Sequence, residues 1–307
     1  MAHHTHGHHG HGDRRSERVG RAFAIGIALN VAFVVMEIGF GVLANSLALV
    51  TDAIHNFSDV LGLVLAWGAS ALARRPPTAR FTYGLRGTTI LAALANAMLL
   101  LVATGGIAWE AILRLHDSGA VNESVMMWVA AVGVLVNGGT AWLFMADRRS
   151  DLNLRSVYVH MAADAAVSLG VVVAGAGIML TGWRALDPAA SLVIVVVIFI
   201  STWTLLRDAV KLALHAAPEN VDPALVRRYL NALPGVAEAH DLHIWGMSTT
   251  ETAMTVHLVM PSGHPGDEFL ARVVDHIEHQ FHIGHVTIQI ETGTAEKPCV
   301  LAPEHVV

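Results

Sequence analysis

Long runs of hydrophobic residues fill the first two thirds of the chain, and a polar pattern begins only near position 213. A helix needs about 20 mainly apolar residues to cross the hydrocarbon core of a bilayer. Six stretches meet this length with few charges, at 22–44, 47–72, 88–112, 125–146, 157–181 and 186–206. The pattern therefore predicts an α-helical membrane protein with a bundle of six transmembrane helices.

A shorter segment with the pattern of a water-soluble domain follows the sixth stretch. It predicts, in order, a helix from Pro223, strands at 239–247 and 252–260, a helix at 266–281 and a strand at 285–291. The order αββαβ is typical of a small α+β domain with its helices on one face of a mixed sheet. Because such a small domain buries little core by itself, we expect it to dimerise.

Arginines near the ends of the hydrophobic stretches predict the orientation in the membrane. They cluster before the first stretch, between the second and third, and between the fourth and fifth, whereas the other connections hold only Arg114 and Arg184. Lys and Arg near transmembrane helices favour the cytoplasmic side. We therefore expect both termini in the cytoplasm. The predicted divisions are a His-rich tail at 1–20, the membrane domain at 21–213, a cytoplasmic domain at 214–292 and a tail at 293–307.

The composition narrows the chemistry. Only 14% of the 307 residues are charged, against about 25% in ordinary soluble proteins, which rules out a basic nucleic-acid binder. The single cysteine rules out a disulfide framework, a four-thiolate zinc site and an iron–sulfur cluster. The 19 histidines equal the total of Lys and Arg. Since histidine is the commonest metal ligand, the count points to metal chemistry.

Two hydrophobic stretches repeat the pattern His-x-x-x-Asp, as His55 with Asp59 and His160 with Asp164. An ionisable residue inside a transmembrane helix is costly and therefore indicates function. A spacing of four places both side chains on one helix face. Two such helices facing each other would present two imidazole nitrogens and two carboxylates, a tetrahedral set suited to Zn²⁺, tolerable for Cd²⁺ or Co²⁺ and poor for Mg²⁺ or Ca²⁺.

Other interpretations of the polar residues in these stretches remain open. Each His-x-x-x-Asp pair alone is equally typical of a local hydrogen bond, although two copies on separate helices favour the metal site. Asp52 lies three residues before His55 and is a candidate to hydrogen-bond a metal ligand or to hydrate the access path to the site. Glu37 is a candidate for a proton relay or for a structural hydrogen bond to a neighbouring helix.

Several segments together resemble the cation diffusion facilitator family of divalent-metal transporters, in particular its zinc-selective bacterial members. They are 46–59 (SLALVTDAIHNFSD), 80–84 (RFTYG), 160–164 (HMAAD), 240–245 (HDLHIW) and 285–291 (HVTIQIE). The resemblance implies a homodimer with six transmembrane helices and a ferredoxin-like or metallochaperone-like cytoplasmic domain. It also implies zinc export across the cell inner (plasma) membrane coupled to proton entry, with zinc as substrate and regulator. His55, Asp59, His160 and Asp164 match the family's transport site.

Histidines of the cytoplasmic segment resemble the family's cytosolic zinc site. His240 and His257 lie on adjacent predicted strands, and His285 and Glu291 bracket the last strand, so the sheet can bring them together. His243 and His282 are further candidates, although strand alternation puts His243 on the opposite face from His240. The alternative is a set of surface histidines at a dimer edge.

The remaining family comparisons concern the loops and the tails. Some relatives bind a further metal after the second helix through Asp and His, but residues 74–83 contain neither, and we expect no such site. Cys299 stands alone where some animal relatives have a pair. The N-terminal histidines, interrupted by Gly and Thr, suggest a purification tag or a tail that captures metal weakly at many points. They are His3, His4, His6, His8, His9 and His11.

Two other classes of function compete with transport: a membrane metalloenzyme and a membrane-anchored zinc sensor. The chain has no His-Glu-x-x-His motif and no clear triad with an open metal position, which disfavours an enzyme. A sensor whose helices serve only as anchors has no use for paired ligands in the membrane. We therefore expect a transporter without enzymatic activity or organic cofactor. Its expected partners are Zn²⁺, with Cd²⁺ or Co²⁺ as further candidates, protons, the lipid bilayer and a second copy of the chain, but no nucleic acid.

Overall fold

The computed structural model describes residues 12–116, 119–145, 152–293 and 299–303, with side chains from residue 28 in the first helix and from 158 in the fifth. The first six helices are α1 (Gly12–Leu43), α2 (Leu47–Ala73), α3 (Thr88–His116), α4 (Glu123–Met145), α5 (Leu152–Thr181) and α6 (Leu186–Ala213). Helices α2 to α6 are long and apolar enough to cross a membrane, and α1 carries the apolar segment Ala28–Leu43. The predicted helical membrane bundle is confirmed.

A buried cluster of apolar side chains unites five of these helices. Helices α2, α3, α4, α5 and α6 contribute Ala48, Leu49, Leu100, Met126, Val129, Ala130, Val171, Ala174, Ile178, Ile194 and Ile198. Helices α4 and α5 pack closely, because a Cβ atom added to Gly175 would lie 2.6 Å from Cγ of Met127. The two helices that carry the His-x-x-x-Asp pairs, α2 and α5, thus share one core.

The start of α2 is fixed by a side chain from α6. The carboxylate of Asp187 accepts hydrogen bonds from Oγ of Ser46 at 2.5 Å, from the backbone N–H of Leu47 at 2.7 Å and from that of Ala48 at 3.2 Å. The first N–H groups of a helix have no partner inside it, and a negative charge there is favourable. Asp187 is buried and therefore stabilises a helix end that water does not reach.

The C-terminal segment forms the predicted α+β domain. Its elements are α7 (Pro223–Asn231), β1 (Glu238–Gly246), β2 (Thr252–Val259), α8 (Asp267–Phe281) and β3 (His285–Glu291). Strand β2 is central, antiparallel to β1 and parallel to β3. Side chains of both helices, among them Leu230 and Ile277, share one core with the sheet residues Met254, Val256 and Leu258. The fold class predicted for this segment is confirmed.

A β-bulge in β1 changes which side chains share a face. His240 pairs with His257 and His243 pairs with Thr255, so three steps along β1 match two steps along β2. The bulge contains Asp241, whose backbone is in the left-handed conformation with φ of 50°. The expectation that His240 and His243 lie on opposite faces is therefore wrong, because it assumed a regular strand. Both lie on the face that points away from the helices.

Candidate metal sites

The two His-x-x-x-Asp pairs meet between α2 and α5. Nε2 of His55 lies 3.8 Å from Oδ2 of Asp59 and 3.7 Å from Oδ1 of Asp164. Nε2 of His160 lies 3.2 Å from Oδ2 of Asp59 and 3.6 Å from Oδ2 of Asp164. Each histidine therefore contacts a carboxylate of its own helix and one of the other helix.

These four distances agree with the dimensions of a zinc site. Tetrahedral zinc with bonds of about 2.0–2.2 Å to nitrogen and oxygen has edges of about 3.3–3.6 Å between ligand atoms. The nitrogen-to-oxygen distances of 3.2–3.8 Å bracket that value. The imidazole rings of His55 and His160 are nearly perpendicular, with centroids 6.3 Å apart. Ligand atoms of Asp59, His160 and Asp164 lie within 4.8 Å of one another, so His55 is the side chain that must move closer for all four to bind one ion.

Burial within the cluster is uneven. Asp164 exposes 3% of its side chain and His55 exposes 15%, whereas Asp59 and His160 expose 32% and 44%. Oδ2 of Asp59, Oδ2 of Asp164 and Nδ1 of His55 are buried and have no hydrogen-bond partner among the described residues. Buried polar atoms are rarely left without partners. Their presence here is what a cation site requires, with an approach from the side of Asp59 and His160.

Two further acidic residues lie deeper in the bundle. Asp52 is buried and accepts a hydrogen bond from Oγ of Ser168 on α5 at 2.9 Å. This bond joins the two helices of the site. Glu37 is also buried, and Nδ2 of Asn56 on α2 donates to its Oε2 at 3.3 Å. The structural hydrogen bond considered for Glu37 is thus present.

A second cluster lies on the face of the small sheet that points away from the helices. Nε2 of His240 is 3.5 Å from Oε2 of Glu291, and Nδ1 of His257 is 2.9 Å from Oε1 of the same carboxylate. The histidine rings are cross-strand neighbours with centroids 5.3 Å apart. Cys299 also belongs to the group, since ligand atoms of all four residues lie within 4.8 Å of one another.

Asp241, which sequence reasoning missed as a site residue, orients the ring of His257. Its Oδ2 lies 3.5 Å from Nε2 of His257, on the side of the ring away from Glu291, and its Oδ1 lies 2.8 Å from Nε2 of His243. A carboxylate on the second ring nitrogen is the usual support of a histidine ligand. The sequence does not reveal the left-handed backbone at Asp241. The bulge at this residue is what brings the carboxylate beside His257.

His285 and His282 lie outside this cluster. His285 is at the opposite end of β3 from Glu291, and its ring meets that of Tyr83 edge to face at 5.5 Å. Both histidines line a cavity of about 530 Å³ together with Glu251 and Glu278. The structure therefore brings His240, His257 and Glu291 together and places His285 elsewhere. The N-terminal histidines of the predicted capture tail lie outside the described residues.

The segment between α2 and α3 also contacts the α+β domain near this cavity. Arg86 forms an ion pair with Glu251, and the backbone N–H of Thr249 donates to Oγ1 of Thr89 at 3.1 Å. Arg86 is one of the arginines between the second and third hydrophobic stretches, whose charge predicts the cytoplasmic side. Its pairing joins residues far apart in the chain and has no local sequence signal.

Comparison with known proteins agrees with a transmembrane domain followed by a cytoplasmic domain. Residues 23–212 match the family model described as cation efflux transmembrane domain, and residues 218–293 match the one described as cation efflux protein, cytoplasmic domain. The chain is 34% identical over 295 residues to the metal cation efflux system protein CzcD of Cupriavidus metallidurans, covering 96% of this chain and 91% of the relative. It is 35% identical over 300 residues to the zinc transporter ZitB of Escherichia coli, covering 96% and 94%.

A third relative is the cadmium, cobalt and zinc/H(+)-K(+) antiporter of Bacillus subtilis, 30% identical over 289 residues, with 92% of each chain covered. Apolar helices followed by an α+β domain define a multi-pass membrane protein with a cytoplasmic domain. The chain belongs to the cation efflux, or cation diffusion facilitator, family.

Proposed function

We propose that this protein exports zinc from the cytoplasm in exchange for protons, with His55, Asp59, His160 and Asp164 holding the ion. The observation that carries the proposal is the pair of histidines and pair of carboxylates divided between α2 and α5, at distances that fit tetrahedral zinc. The relatives named as zinc and metal efflux proteins support it. Cd²⁺ and Co²⁺ are further substrates, because the nitrogen and oxygen ligand set does not exclude them.

Competition between metal and protons supplies the coupling. A histidine ring binds zinc only through an unprotonated nitrogen, and a carboxylate only when it is ionised. Zinc therefore enters from the cytoplasm as protons leave the four side chains. After the helices rock to open the site outward, external protons bind the same atoms and displace the ion. The relative named as an antiporter of cadmium, cobalt and zinc with H⁺ and K⁺ supports this exchange.

The proposed topology follows from the six hydrophobic stretches and the arginine distribution. The membrane domain comprises residues 21–213, both termini are cytoplasmic, and the protein lies in the inner (plasma) membrane. Residues 214–292 form the cytoplasmic domain, flanked by the tails 1–20 and 293–307. The N-terminal tail gathers metal near the entrance through many weak contacts.

The cytoplasmic domain provides regulation and dimerisation in this proposal. His240, His257 and Glu291 bind zinc on the sheet face that points away from the helices. There the buried imidazole of His240 and the half-buried imidazole of His257 meet one carboxylate. His285 was predicted as a further ligand and lies instead beside Tyr83. Zinc at this site favours the closed arrangement of a homodimer and biases the rocking of the membrane helices. Such coupling between two sites must be reciprocal in binding free energy.

Transport in proteoliposomes tests the central claim. Purified protein is reconstituted, a pH gradient is imposed, and zinc entry is followed with an internal dye. We expect Asp59→Ala and Asp164→Ala to abolish the gradient-driven flux. Glu110→Gln is the matched control, since Glu110 also lies on an apolar helix but pairs with Arg114. Continued flux in the Asp variants would refute the four-ligand site, and metal binding without any flux in the parent would favour a sensor.

Metal selectivity is measured in the same vesicles. Zinc, cadmium and cobalt should compete for one pathway, whereas manganese and iron should be weaker competitors because they stand lowest in the affinity order of divalent first-row metals. Equal transport of magnesium would contradict a tetrahedral site.

A further inference from the structure

The lone cysteine of the chain lies beside the proposed cytosolic metal site. Sγ of Cys299 is 3.7 Å from Nδ1 of His257, the nitrogen that also faces Glu291. Its ligand atom lies within 4.8 Å of those of His240, His257 and Glu291. Cys299 comes after the end of β3 at Glu291, so the chain has returned to the sheet to make this contact.

The distance between sulfur and nitrogen fits joint binding of one ion. Zinc bonds of about 2.3 Å to sulfur and 2.0–2.1 Å to nitrogen place the two atoms about 3.5–3.6 Å apart in a tetrahedron. The observed separation of 3.7 Å is close to that value. With two imidazole nitrogens and one carboxylate oxygen, the thiolate gives a complete set of four ligands.

His240 points to a ligand independently of the cysteine. It is buried, with 5% of its side chain exposed, and neither ring nitrogen has a hydrogen-bond partner among the described residues. A buried donor or acceptor without a partner is unfavourable, so a protein rarely leaves one without a compensating interaction. A metal ion shared with His257, Glu291 and Cys299 provides that interaction.

We propose that the Cys299 thiolate is the fourth ligand of the cytosolic site, which rests on the function proposed above for His240, His257 and Glu291. Binding the ion releases the S–H proton to solvent and forms the metal–sulfur bond. A thiolate favours zinc, cadmium and cobalt over magnesium, calcium and manganese. Bound metal then holds residues 299–303 against the sheet face that points away from the helices. Metal occupancy of the site therefore controls the position of these C-terminal residues.

Because Cys299 is the single cysteine of the chain, every thiol signal from the full-length protein reports on it. The first measurement is a Co²⁺ titration of the purified protein in detergent, which gives a sulfur-to-cobalt charge-transfer band only if the thiolate binds the ion. We expect one band whose final intensity corresponds to one thiolate-bound cobalt per chain, whatever further cobalt the membrane site and the N-terminal tail take up. Cys299→Ser and His257→Ala should both abolish it.

The second measurement is the rate at which a maleimide labels Cys299 with and without Zn²⁺. We expect zinc to slow labelling by about tenfold or more, and Cys299→Ser to weaken zinc binding at this site by at least about tenfold, since even residues that only support a ligand contribute that much. His279→Ala is the matched control, because His279 is exposed on α8 and away from the cluster. Its band and its protection should equal those of the parent.

The outcomes separate this proposal from the transport function. Retention of the band and of zinc protection in Asp59→Ala supports a thiolate site independent of the membrane site, whatever happens to transport. Cobalt binding that requires His257 but produces no sulfur band would overturn the role of Cys299, leaving a three-residue site with a neighbouring thiol. A band that survives His257→Ala would also overturn it, because the thiolate would then bind metal elsewhere.

Discussion

Replacing Asp164 with asparagine removes one of the four proposed ligands of the membrane site while keeping the size of the side chain. Four-ligand zinc sites in small domains bind with about 10–16 kcal/mol, or about 2.5–4 kcal/mol per ligand if the energy is shared equally. Every 1.4 kcal/mol is a factor of about ten, so zinc affinity should fall by about two to three orders of magnitude. The carboxylate contacts both histidines, at 3.7 Å and 3.6 Å, and no other described acid takes its place.

Stability gives the same prediction a second readout. Zinc at 100 times its dissociation constant stabilises a binding protein by about 2.7 kcal/mol, and a hundredfold weaker site gains only about 0.4 kcal/mol at the same concentration. Without metal, the variant should unfold no more easily than the parent, because Oδ2 of Asp164 is buried without a hydrogen-bond partner. Asparagine there removes a charge that is costly to bury.

The assay is thermal unfolding in detergent with EDTA or with zinc, in a His257→Ala background that removes the cytosolic contribution. Asp164→Asn should lose nearly all of the zinc-induced rise in melting temperature, and Glu110→Gln should keep it. If Asp164→Asn keeps the full rise, or if it unfolds much earlier in EDTA, Asp164 is a structural residue and the reasoning from its unpartnered oxygen fails.

Three further predictions concern other parts of the molecule. Asp187→Asn should lower the free energy of unfolding by about 1–3 kcal/mol, seen as a lower melting temperature in EDTA, because the buried start of α2 loses a charged acceptor; an unchanged melting temperature would contradict this. Arg86→Glu should lower the free energy of unfolding by about 0.2–1 kcal/mol and slow transport, and adding Glu251→Arg should restore both. Failure of the double variant to recover either property would show that this ion pair matters neither for stability nor for transport. Chelation should increase hydrogen exchange in β2 of the parent, whereas His257→Ala should exchange equally with and without zinc.

The sequence predicted the membrane helices and the two His-x-x-x-Asp pairs that meet in the bundle, because both are local patterns. Hydrophobic length defines a transmembrane helix, and a spacing of four defines a shared helix face, as in His160 and Asp164. Strand β3 likewise begins and ends where alternation placed it. These features depend on neighbours in the chain and hardly on the rest of the molecule.

The features that the sequence could not reveal depend on distant segments or on backbone irregularity. Nothing near Asp187 indicates that it caps a helix about 140 residues earlier. The bulge at Asp241 reverses the strand alternation and puts His243 on the face of His240. Cys299 joins the cytosolic cluster because the chain returns to the sheet after β3. From the sequence, β1 was expected to be regular and Cys299 to have no partner. The structure shows a bulge in β1 and a contact between Cys299 and His257.

The proposed membrane ligands are divided, two on α2 and two on α5, so the affinity of the proposed site depends on the gap between these helices. Metal–ligand distances tolerate deviations of only about 0.2 Å. A separation of the helices by about 1 Å, well below the rise of one helical turn, therefore removes two of the four bonds. Asp187 fixes the start of α2 to α6, so such a displacement moves a pair of helices together. If the four residues bind the ion as proposed, its release needs no dedicated gate residue, since the change in helix spacing is itself the change in affinity.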